Sequence, residues 1–168
     1  MILQKCSLWN VAEIFFIEPT KVHFIKEVSK KIKLAPTSVK NHLQTLIDLS
    51  LIKKTKGDIY KGFQANRENP EFIFYKKISN QIRLKESSLI KKIVEKYPES
   101  IILFGSFNKG EDTENSDIDL FIKTKKFKIE LEEFEKYLNR KIHLIFIEEV
   151  DKNLMSSINN GTILFGEK

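Results

Sequence analysis

The chain is poor in the residues that cross-link proteins and in the runs that carry them across membranes. Its 168 residues hold one cysteine, Cys6, so no disulfide framework exists within the chain, and a reducing compartment is expected. No apolar run approaches the roughly 20 residues of a membrane helix. The opening MILQKCSLWN lacks both the long apolar core and the small-residue cleavage site of a signal peptide. We find no internal repeat and no low-complexity tract. A soluble cytoplasmic protein without a membrane partner is the expectation. The chain is long enough to bury a core, and 13 phenylalanines supply much of its apolar bulk.

Charge is unevenly spread. The net charge is +6, and residues 1–70 alone hold 12 Lys and Arg against 6 Asp and Glu. Residues 101–168 reverse the balance, with 10 against 13. A basic first half and an acidic last half suggest two jobs, the first on a polyanion.

The patterning predicts an α+β chain in three parts: residues 1–68, 69–99 and 100–168. In the first, Ser7 is placed to cap a helix from Leu8 to Ile17 in which Leu8, Val11, Ala12 and Phe15 share a face. KVHF (21–24) alternates like a brief strand. A helix from Ile25 to about Ile32 follows. Pro36 suits the first turn of the next helix, where its missing N–H is not needed. Val39, Leu43 and Leu46 make that helix's core stripe. Its other side carries Thr37, Ser38, Lys40, Asn41, Gln44 and Thr45. LIKKTKGDIYKGFQA then reads as two strands around Gly57-Asp58, with Lys53, Lys54, Lys56 and Lys61 on the arms.

Three helices, the third with a small-polar outer face, followed by a lysine-rich hairpin, resemble the winged helix-turn-helix domains of transcriptional regulators. The resemblance implies double-stranded DNA as partner. The amides and hydroxyls of Thr37, Ser38, Asn41, Gln44 and Thr45 would face base edges, and Lys40, Lys53, Lys54 and Lys56 phosphates. The alternative is a solvated amphipathic helix with a charged hairpin.

Residues 69–99 read as a helical connector. Asn69-Pro70 is a cap followed by a first-turn proline. Phe72, Tyr75, Ile78 and Ile82 recur at helical spacing, and Leu89, Ile90, Ile93 and Val94 form a second patch. The aromatic residues read as core or homodimer interface rather than as a ligand box. One helix and two are equally compatible with the pattern.

Residues 100–168 alternate strand and helix. SIILFGS, DIDLFIKT and KIHLIFIEE read as strands, KIELEEFEKYLNR as an amphipathic helix, DKNLMSSINNG as a short helix stopped by Gly161, and TILFG as a last strand. Within DIDLFIKT, Asp117 and Asp119 stand at i and i+2. They project to one face while Ile118 and Leu120 turn to the core. Two adjacent carboxylates repel unless a cation lies between them. Mg²⁺ is commonly held by one or two carboxylates together with substrate phosphates. Gly105-Ser106 ends the preceding strand, where glycine lets a phosphate approach the backbone and a helix start would offer free N–H groups. The spacing points to a site for a magnesium nucleoside triphosphate such as ATP.

Strand, Gly-Ser, a loop of about ten residues and Asp-x-Asp on the next strand, GSFNKGEDTENSDIDLFI here, resemble the minimal branch of the DNA polymerase beta-like nucleotidyltransferase superfamily. That resemblance implies a small mixed sheet, nucleotide contacts at Gly105, Ser106, Lys109 and Ser116, and metal ligands at Asp117 and Asp119. One position departs from the family's pattern. A third carboxylate is expected within KIHLIFIEE, and His143 stands there. Imidazole is a poor Mg²⁺ ligand but a competent base near neutral pH. His143 is therefore either a third catalytic residue beside Asp117 and Asp119, or an ordinary strand residue in a site that binds nucleotide without turning it over. Two functions follow: a DNA-binding regulator with a nucleotide-binding domain, or an active transferase of a nucleoside monophosphate to a hydroxyl.

Overall fold

A computed structural model describes residues 6–55 and 62–167, apart from the side chain of Asn153. The fold is α+β. It divides into two compact units, Met1–Lys76 and Lys77–Lys168.

The first unit packs three helices against a short antiparallel ladder. These are α1 (Ser7–Ile17), α2 (Ile25–Ile32), α3 (Pro36–Asp48), β1 (Ile52–Lys54) and β2 (Phe63–Ala65). Ile52 pairs with Ala65 and Lys54 with Phe63, and the ladder continues through Thr55 N–H to Gly62 O at 2.9 Å. The expected turn at Gly57-Asp58 lies outside the described residues, as do Lys56 and Lys61. The stripe of Val39, Leu43 and Leu46 is buried as its spacing requires, and Pro36 occupies the first turn of α3. Two local expectations need correction. Cys6, not Ser7, precedes α1, and Ser7 Oγ instead lies 2.9 Å from His42 Nε2 on α3. KVHF contributes only a bridge, in which His23 and Phe63 exchange backbone hydrogen bonds of 2.8 and 2.9 Å. The buried His23 ring also packs edge-on to Phe15.

Residues 69–99 form two helices, α4 (Pro70–Glu86) and α5 (Leu89–Val94), broken where Ser88 takes φ +64°. The start of α4 belongs to the first core: Phe72 is fully buried there, and Lys76 donates to Phe16 O at 2.5 Å. Tyr75 is exposed, so the stripe predicted from Phe72, Tyr75, Ile78 and Ile82 is not one buried face. The end of α4 belongs to the second unit, where Leu84 joins Leu89 and Ile93 of α5 in the core.

The second unit is a four-stranded mixed sheet in the order β5-β4-β3-β6, built from β3 (Ser100–Phe104), β4 (Ile118–Ile122), β5 (Ile142–Phe146) and β6 (Thr162–Gly166). β3 is antiparallel to β4 and β6, and β4 is parallel to β5. β3 is buried along its whole length, as a continuous apolar run in a central strand should be. One face, with Ile101, Leu103, Ile118, Leu120 and Ile122, packs with Leu84, Leu89, Ile93, Phe107, Phe134 and Leu138. The other, with Ile102, Phe104, Phe121 and Ile145, packs with Ile158 of α8 (Lys152–Asn159). The parallel pair requires a crossover, which α7 (Glu132–Leu138) supplies. That helix was expected over the whole of KIELEEFEKYLNR. Residues 128–131 are not helical, and Ile129 and Leu131 pack against the core from alternate positions. Leu131, at φ −106° and ψ −12°, is the cap that precedes the helix. Among the described residues no helix is long and apolar enough to cross a membrane.

Candidate functional site

The strand register assembles the site. Phe104 at the end of β3 lies opposite Asp119, and Asp119 lies beside His143 on the parallel neighbour. Residues in register across a sheet share a face, so Asp119 and His143 stand on the α8 side, one step beyond the apolar pair Phe121 and Ile145. His143 Nδ1 is 3.5 Å from Asp119 Oδ1. The imidazole is exposed and the carboxylate mostly covered. Burial pushes the Asp119 carboxyl above its ordinary range; His143 opposes that rise and the charge of Asp117 adds to it.

Immediately after Phe104 the chain turns into α6 (Gly105–Lys109). Gly105 has φ +73°, and a Cβ on it would collide with Asp119 Oδ2. Glycine therefore lets the carboxylate lie against the backbone at the strand-to-helix turn. Phe107 anchors α6 in the core, and Gly110 closes it at φ +79°. Ser106 O accepts from Glu111 N–H at 3.0 Å, folding the following loop back onto α6. Lys109 is exposed at the end of that helix. Ser116 Oγ accepts from Thr113 N–H at 2.9 Å, so this hydroxyl shapes the turn before Asp117. Asp117 precedes β4 and is exposed. A cavity of about 590 Å³ opens beside it, lined in part by Ser116, Glu135, Lys136, Asn139 and Lys141.

The register thus brings together Gly105, Asp119 and His143, with Asp117 close enough to act on Asp119 electrostatically. Glu149 lies elsewhere in the chain's bonding, pairing with Lys126 at 2.6 Å and accepting from Phe146 N–H at 3.0 Å. Among the described residues no three His, Cys, Asp or Glu side chains form a metal-holding group. Two carboxylates fit one Mg²⁺ whose remaining ligands come from phosphate and water. They do not fit a pair of such ions, since the neighbour of Asp119 on the next strand is an imidazole.

Sequence reasoning missed a buried polar network under the loop. Asp112 is fully buried, with Asn80 Nδ2 donating to its Oδ1 at 2.7 Å and Arg140 Nη2 to its Oδ2 at 3.3 Å. Asn108, also buried, accepts from Thr162 Oγ1 at 2.7 Å. Nothing local in the sequence singles out Asp112, which stands among Glu111 and Glu114 in the same loop.

In the first unit Thr37, Lys40, Asn41, Gln44 and Thr45 are exposed on α3 and Ser38 is half-buried. Gln44 Nε2 donates to Asp48 at 2.8 Å, and Thr45 Oγ1 to Asn41 O at 3.2 Å. Lys53 and Lys54 are exposed on β1.

Residues 88–168, just under half of the chain, match the family model described as Polymerase beta, Nucleotidyltransferase. The second unit accordingly carries a nucleotidyltransferase-like domain. No curated protein matches the chain. Among solved structures, a point mutant of ZitR from Lactococcus lactis is similar at 17% identity with a TM-score of 0.41, covering 52% of this chain and 60% of its own. That likeness is too slight to fix a fold.

Proposed function

We propose that the chain is a DNA-binding regulator whose nucleotidyltransferase-like domain binds a magnesium nucleotide. One observation carries the nucleotide half: the half-buried Asp119 carboxylate lies against Gly105, beside His143 and within reach of the charge of Asp117. A carboxylate raised by burial and by a like charge gains most from a cation placed next to it. Asp117 and Asp119 would hold the ion, which would supply charge neutralisation between them and a triphosphate. The Gly105-Ser106 turn offers close backbone approach to phosphate, and Lys109 and Ser116 stand at the two ends of the connecting loop. ATP is the reference nucleotide.

The DNA half rests on the architecture of the first unit. Three helices and an antiparallel ladder support a winged-helix reading, with the exposed polar side of α3 as the base-reading face and Lys53 and Lys54 against phosphates.

Calorimetry with Mg²⁺ and ATP tests the site. The wild type should bind, and Asp117→Asn/Asp119→Asn should not. Equal binding by both rejects the clamp. A second reading is favoured by the register of His143 with Asp119, because a base beside the metal-binding carboxylate could deprotonate an acceptor hydroxyl. With labelled ATP, transfer by the wild type that is lost in His143→Ala supports that reading. Transfer that appears only in His143→Asp supports a site that lost its third carboxylate. Absence of transfer in both leaves the regulator.

A further inference from the structure

We infer that Asn80, Asp112 and Arg140 are positioning residues that set the geometry of the candidate nucleotide site, an assignment that rests on the magnesium-nucleotide reading of that site. The loop from Gly110 to Asp117 must bring the Gly-Ser turn and the aspartates together. A polar loop of this kind is mobile unless tied down. It is tied near its start by Asp112, which has no exposed surface. Carboxylates are almost never buried so fully unless paired.

The partners explain the position. Asn80 Nδ2 donates both to Asp112 Oδ1 at 2.7 Å and to Phe107 O at 2.9 Å. One amide on α4 thereby holds α6 and the first part of the loop. Arg140 Nη2 reaches Asp112 Oδ2 at 3.3 Å, and its Nη1 donates to Asn139 O at 2.8 Å. Asn139 takes φ +54° to end α7, and β5 starts with Ile142 and His143 directly after. The network therefore fixes the loop that delivers Ser116 and Asp117 and the turn that delivers His143.

All three side chains are buried, with exposures of 2%, 0% and 4%. They act through the residues they hold. Bulk stability is a poor reason for such a group, because burying an ion pair costs desolvation that an apolar trio would avoid. A unique loop geometry is what the pair and the shared amide provide.

The test uses the full chain and two variants, Asn80→Ala and Asp112→Asn. Mg-ATP affinity is measured by calorimetry well below each variant's melting midpoint. The expected result is a loss of about tenfold or more, comparable with other supports of metal ligands, while DNA affinity stays at the wild-type value. Variants that stay folded and bind Mg-ATP like the wild type overturn the inference. So does unfolding of the conservative Asp112→Asn variant, which would make the network purely structural. Should the wild type itself fail to bind Mg-ATP, the nucleotide reading falls and amide hydrogen exchange decides the rest. Protection lost only over 105–117 and 139–143 supports the positioning role. Unchanged exchange, or protection lost across the whole second unit, overturns it.

Discussion

Gly105 cannot carry a side chain for two separate reasons, and they can be measured apart. Its φ of +73° strains any L residue, and a Cβ there would collide with Asp119 Oδ2. Gly105→Ala should cost about 1–3 kcal/mol. In an Asp119→Ala background the collision is gone and only the backbone share should remain. A double-mutant cycle by urea denaturation reads the difference. Strictly additive costs would show that the carboxylate does not touch Gly105. Asp119 makes a second prediction. Its carboxyl is raised above the ordinary range, chiefly by burial, so the folded state disfavours the charged form. The stabilising effect of its proton is complete below the unfolded carboxylate pKa and is lost as pH rises through the raised folded value. Asp119→Asn removes that charge. The variant should therefore melt at a higher temperature than the wild type near neutral pH, and the gap should close on acidification. A wild type that melts higher at neutral pH would contradict it.

At the scale of elements, legibility followed the range of the forces involved. The turn at Gly105 and the strand that follows Asp117 were readable because a glycine at the end of an apolar run and an alternating apolar pattern are local signals. α3 was readable because its core stripe and first-turn proline agree. The crossover helix starts later than its apolar spacing suggests, since Ile129 and Leu131 join the core from residues that precede it. Asp112 was not readable as a tether, because its partners Asn80 and Arg140 are 32 and 28 residues away. No local pattern announces a contact of that separation. The role of α3 is tested by separating its polar face from the strand lysines. Asn41→Ala and Gln44→Ala should weaken binding to a preferred duplex by about 1–3 kcal/mol for each true base contact, and non-specific binding little. Gln44 is held by Asp48, so Asn41 should carry the larger share. Lys53→Ala/Lys54→Ala should weaken binding to every duplex and flatten the salt dependence. Electrophoretic shifts over a salt series distinguish the two patterns. No duplex affinity at low salt would end the DNA reading.

The whole molecule joins a basic unit to an acidic-ended one through a helix that both units use. Phe72 on the first turns of α4 is fully buried in the first core, and Lys76 ties the same stretch to Phe16. Asn80 and Leu84, further along, are buried in the second unit, with Leu89 and Ile93 of α5 beside them. Fragments cut at different points in this region should therefore behave very differently. A fragment of residues 1–68 lacks Phe72, and loss of a buried phenylalanine costs about 3–5 kcal/mol. That is a large part of the roughly 5–15 kcal/mol that holds a domain together. Residues 1–86 keep it and should melt cooperatively at a higher temperature. For the second unit the contrast is sharper. Residues 100–168 contain the whole sheet and the Gly-Ser and Asp-x-Asp stretch. They lack Leu84, Leu89 and Ile93, which cover one face of that sheet, and the Asn80 amide that holds α6 and Asp112. Residues 70–168 should give a cooperative thermal transition by circular dichroism, and residues 100–168 should give none. A cooperative melt from the shorter fragment would mean that the sheet and its own two longer helices suffice, and that α4 and α5 only decorate the domain.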